Sequence, residues 1–85
     1  MTTFCFALLA ESHPASLPRV LNAVALTGLV PESCHAQQAD GEIAIDLQVD
    51  GLDAEAAAKL ALRLGRIVAV SNVLWGEKRR ARRAA

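Results

Sequence analysis

The sequence predicts an α+β fold of two layers, a four-stranded antiparallel sheet with two helices on one face. Three observations predict it. Ile43 to Val49 alternates apolar and polar residues, two other segments carry apolar residues at helical spacing, and an Asp-Gly pair marks a hairpin between the second and third strands. With 85 residues the chain holds one domain, because two would each lack a core. Its 53% hydrophobic and 21% charged residues give the chain enough to bury, so that as a whole it is a folding domain and not a disordered segment.

Thr3 to Ala10 places Phe4, Phe6 and Leu8 on one face and Cys5, Ala7 and Leu9 on the other, which predicts a strand covered on both sides. The polar turn Glu11 to Ser16 leads into Leu17, Val20, Leu21, Val24 and Ala25, one helical stripe. Pro18 fits only in that helix's first turn, and Gly28 suits a left-handed cap after its end. Leu29 to Gln38 contains Pro31, which cannot donate to a ladder, so as a strand it lies on a sheet edge. Ile43, Ile45, Leu47 and Val49 then form the apolar side of the third strand. Asp53 is the expected N-cap of a second helix with Glu55 in its first turn, Leu60 and Leu64 in its body and Gly65 as its cap. Ile67 to Leu74 is the last strand, apolar on both faces in its first half, and Trp75 and Gly76 close the domain.

The order β-α-β-β-α-β with right-handed crossovers gives the ferredoxin-like sandwich, strand order 4-1-3-2. The two cysteine-bearing strands are then not neighbours, and Cys5 and Cys34 are expected as reduced thiols. The aromatic side chains are Phe4, Phe6 and Trp75 alone, so the core is thin and a partner would help it. Apolar residues on the sheet face without helices also call for a cover, which predicts a homodimer through a sheet edge or face. The alternative is that small residues such as Ala7 and Ala69 tolerate water.

Chemistry on this chain is not expected. His35 has only Cys34 nearby as a second metal ligand, Asp46 and Asp50 share a strand face with no nucleophile beside them, and neither a P-loop nor GxGxxG occurs. No cofactor is expected on this chain. The apolar run before Glu11 is too short to span a membrane, and a cytoplasmic location is expected.

The segment Ser12-His13-Pro14-Ala15-Ser16-Leu17-Pro18-Arg19-Val20-Leu21, ending at Thr27-Gly28, resembles the signature of ACT domains, small amino-acid-sensing modules. In that family a strand ends in Asn-x-Pro-Gly-x-Leu-x-Arg-Val. Leu60, Leu64, Ile67, Val70 and Val73 are similar to its closing helix and strand, so the resemblance covers residues 3 to 75. Among ACT proteins the chain is most similar to single-domain small subunits of acetohydroxyacid synthase. That resemblance implies a non-catalytic regulatory subunit that binds and activates or stabilises the large, thiamine-diphosphate-dependent catalytic subunit in branched-chain amino acid synthesis.

The resemblance also implies a ligand site for a small amino acid, formed by Ser12, His13, Pro14, Ala15 and Ser16 with Val30 at the start of a neighbouring protomer's second strand. A helix N-terminus suits the ligand's carboxylate. Three positions depart from the sensing pattern. Ser12 stands where the family has Asn, Ala15 replaces a Gly and Val30 replaces a second Asn, so weak or absent valine feedback is expected. His13 could touch an anionic ligand, and its simpler reading is a solvated turn residue.

A stand-alone ACT sensor acting on another enzyme, a transporter or a transcription factor fits the same residues. An RNA-binding module of this fold fits poorly, because Ala44, Asp46, Gln48 and Asp50 offer no aromatic surface for stacking, and no nucleic-acid or membrane partner is expected. Acylphosphatase chemistry needs an arginine in the first loop, where none stands.

The formal charge of zero is a cancellation. Residues 1–76, the ACT-like domain, hold four basic side chains (Arg19, Lys59, Arg63, Arg66) against eight acidic ones, and the tail, residues 77–85, holds five against one. Arg79, Arg80, Arg82 and Arg83 are therefore candidate partner-binding residues, reaching an acidic surface on the large subunit or on a second copy. The other reading of the tail is a solubilising terminus.

Overall fold

The structure is a computed structural model that describes residues 2–78. Its elements run β1 (Thr2–Glu11), α1 (Ser16–Ala25), β2 (Ser33–Ala39), β3 (Glu42–Leu52), α2 (Ala54–Gly65) and β4 (Val70–Glu77). The strands form one antiparallel sheet in the order β2-β3-β1-β4, the predicted order read from the other edge. Both helices cover one side. Their stripes, Val20, Ala23 and Val24 on α1 and Ala57, Leu60, Ala61 and Leu64 on α2, bury against Phe4, Phe6, Leu8, Ile45, Leu47 and Val49.

Local signals explain the joints. Asp40 and Gly41 both have positive φ, 53° and 79°, which is the twist a two-residue hairpin needs between β2 and β3. The Asp53 carboxylate accepts the Ala56 N–H at 2.8 Å and caps α2. Trp75 lies opposite Phe6 across the β1–β4 ladder and stacks on it, with ring centroids 6.4 Å apart, while Phe4 stands 6.1 Å away. The three aromatic residues thus share the covered face beside β4.

Several expectations need correction. Within one chain the cover on β1 comes from one side, with Cys5 and Leu9 half-buried and Ala7 exposed on the open face, so a second cover would have to come from another chain. Leu29 to Glu32 precedes β2 and is not part of it: Leu29 packs on the core and pairing with β3 begins where the chain comes alongside Gln48. β3 continues past Val49 to Leu52. Gly51, at φ 95°, shifts the alternation by one, which turns Leu52 into the core after three odd-numbered residues. Gly65 is not a left-handed cap, because the helix runs through it to Arg66 with right-handed geometry. β4 starts at Val70 rather than Ile67. Ile67 and Val68 lie in the turn before it, and Trp75 and Gly76 fall inside the strand. The open face of β4 is Asn72, Leu74 and Gly76, so its apolar content is Leu74 alone.

Candidate functional site

The loop between β1 and α1 is held at almost every residue. The Glu11 N–H donates to Ala69 O at 2.8 Å and the Ser12 N–H to Gly41 O at 3.1 Å, which fixes the loop against both the β4 turn and the hairpin. The Ser16 hydroxyl is fully buried and donates to Glu11 O at 2.7 Å. Ser16 is therefore a latch across the loop. His13 accepts the Ala15 N–H on Nδ1 at 3.0 Å, and its carbonyl accepts the Ser16 N–H at 3.0 Å.

These bonds change what the helix N-terminus can offer a ligand. The Ala15 and Ser16 amides are taken and Pro18 has none, which leaves Leu17 as the amide of the first turn without a partner among the described residues. A carboxylate meets one donor where an open helix end presents several. Ala15, at φ −84°, adopts an ordinary right-handed conformation, so this loop is made without the glycine of the family pattern and without strain.

Ser12, His13 and Pro14 line a hollow of about 260 Å³ with Gln38 and Ile43. Val30 is not part of it. That side chain is 85% exposed, two residues before Glu32, whose N–H donates to Gln48 O. The stretch of β3 from Glu42 to Gln48 separates it from the loop, on the order of 20 Å at a strand's rise per residue. One chain therefore holds the loop and Val30 apart.

The remaining candidates spread over the open face. His35 lies opposite Asp46 across the β2–β3 ladder, and Asp50 accepts the Thr3 hydroxyl at 2.9 Å. Among the described residues no three His, Cys, Asp or Glu side chains converge as a metal site, and no helix is long and apolar enough to cross a membrane. Cys5 and Cys34 are free thiols on strands separated by β3. Arg79, Arg80, Arg82 and Arg83 lie outside the described residues. Just before them, the Lys78 N–H donates to Thr3 O at 2.8 Å and its Nζ to Gln48 Oε1 at 2.8 Å. The hydrogen bond from the Ala15 N–H to His13 Nδ1 escaped the sequence pattern. Its signal was an acceptor side chain two residues before the residue that precedes α1, a geometry like that of an Asx-turn.

No curated protein matches the chain in sequence. Among solved structures it is similar to the ACT domain of GTP pyrophosphokinase from Chlorobium tepidum, with a TM-score of 0.78 and 11% identity over 87% of this chain and 96% of that one. It is also similar to the C-terminal domain of the MgtC protein from Mycobacterium tuberculosis, with a TM-score of 0.71 and 10% identity over 92% and 88% of the two chains. A homoserine dehydrogenase from Thiobacillus denitrificans gives a TM-score of 0.75 and 14% identity over 89% of this chain, which corresponds to 17% of the enzyme. At these identities the likeness is one of fold. The sequence model of one family, described as an ACT-like domain, matches residues 1–82, and the chain belongs to that family of regulatory domains.

Proposed function

We propose that this chain is a non-catalytic regulatory subunit that binds and activates or stabilises the large catalytic subunit of acetohydroxyacid synthase, with weak or no valine feedback. The likeness of the chain, among ACT proteins, to single-domain small subunits of that enzyme supports the partner. The observation that carries the weak feedback is the closed loop: His13 Nδ1 takes the Ala15 N–H and the Ser16 hydroxyl is spent on Glu11 O. A ligand carboxylate would have to displace these bonds or do without them.

A homodimer belongs to the same proposal. Main-chain groups on the outer side of β2 are open for pairing, and a second copy arriving at a sheet edge or face would be the only source of Val30 beside the loop. The basic tail would assist association by charge, and light scattering of the full chain at micromolar concentration measures the dimer.

The test is co-expression with the large subunit followed by acetolactate formation with and without this chain. A rise in turnover, cofactor retention or thermal stability is expected, and no change in any of the three overturns the partner. Calorimetric titration with valine is expected to give no micromolar binding. A tight isotherm with no effect on the large subunit would instead favour a stand-alone amino-acid sensor acting on another enzyme, a transporter or a transcription factor.

A further inference from the structure

The body of the molecule separates most of its charges. Glu11, Glu32, Asp40, Glu42, Asp46, Asp50 and Glu77 belong to the sheet and its loops, with Lys78 beside them, whereas Arg19, Lys59, Arg63 and Arg66 belong to the helices or their ends, where the carboxylates are Asp53 and Glu55 at the start of α2. α1 carries no carboxylate, and α2 carries none after Glu55. The antiparallel helices bring Arg19 and Arg63 to one groove of about 630 Å³, which a second hollow extends to Lys59 with Leu26 and Arg63 shared. No acidic residue lines either part. Among the described residues the ion pair is Lys78 with Glu32, so neither arginine is neutralised. The floor is apolar, and two of its walls are large side chains left to water: Leu26 is 65% and Val68 95% exposed.

Exposed guanidiniums with no carboxylate beside them, next to exposed Leu and Val, are complementary to a ligand that joins carboxylates to apolar groups. We propose that the α1–α2 seam docks an acidic amphipathic segment of the catalytic partner. Its carboxylates meet Arg19 and Arg63, and its apolar side chains cover Leu26 and Val68. The partner's identity rests on the function proposed above, and the chemistry of the segment rests on the seam alone. The basic, helix-side seam fits an acidic partner better than the open sheet face does, where Asp46 and Asp50 would repel it.

The experiment compares the full chain with R19E/R63E and with the milder R19Q/R63Q, all verified as folded by thermal unfolding. Affinity for the purified large subunit is expected to fall on the order of tenfold or more for the Glu variant, less for the Gln variant, and wild-type binding is expected to weaken with salt. Unchanged affinity overturns the seam. Should the wild type not bind the large subunit, the partner assignment fails, and a synthetic amphipathic peptide of leucine, alanine and glutamate then tests the seam. Binding that is lost in R19E/R63E supports it. Equal binding of a glutamine counterpart, or no binding of the glutamate peptide, overturns it, as does a dimer that the Glu variant converts to monomer.

Discussion

On the helix side of the sheet Phe6, Ile45, Leu47 and Val49 are fully buried, whereas Ala7, Ala44, Asp46 and Asp50 on the same strands face solvent. The strands are shared, so the difference comes from what lies over each face. Two helices exclude water from one side. The other side sets small or polar residues around Leu9 and Leu74, and the small ones tolerate water at little cost. Within one chain, a central strand that reads as apolar on both faces is thus buried on one.

That contrast can be broken most severely from the covered side. Phe6→Ala removes a ring that stacks on Trp75 and fills the core, and denaturant unfolding is expected to show a loss of about 3–5 kcal/mol. Ser16→Ala keeps the fold and removes the buried hydroxyl that latches the loop to Glu11 O. A loss of about 1 kcal/mol is expected, with faster hydrogen exchange at the Ala15 and Ser16 amides as the local readout. The smallest effect belongs to the open face. Leu74→Ser, at a side chain 65% exposed, is expected to change stability by less than about 0.5 kcal/mol. A larger loss that depends on protein concentration would show that copies of the chain cover this face in solution.

The valine titration and the arginine reversals sharpen the same comparison from the functional side. The first probes a loop whose donors are consumed internally, and the second a seam whose cations have no internal partner. The two tests read different groups, the loop's donors spent on Glu11 O and His13 Nδ1 and the guanidiniums of Arg19 and Arg63, with Ala15 bordering both.

How much of this was legible varies by residue. The Asp40-Gly41 hairpin, the Asp53 cap, Pro18 in the first helical turn and the alternation of Ile43 to Val49 were plain, because each is a signal confined to a few adjacent residues. The candidate loop was legible as a place and not as a state. Ser12 to Ser16 stood out by pattern, but whether Ser16 points outward or inward depends on the Glu11 carbonyl that its hydroxyl meets.

By itself the sequence determined the order of strands and helices, the hairpin, the Asp53 cap and which face of β3 is apolar, since backbone preference and side-chain period act locally. Only the tertiary structure decided where β4 begins, that Gly51 turns Leu52 into the core, and that Arg19 meets Arg63 across a seam. Each of these depends on a partner far along the chain. Val70 becomes a strand residue because Ala10 is there to pair with it, and two arginines share a groove because the antiparallel helices bring the start of α1 beside the end of α2.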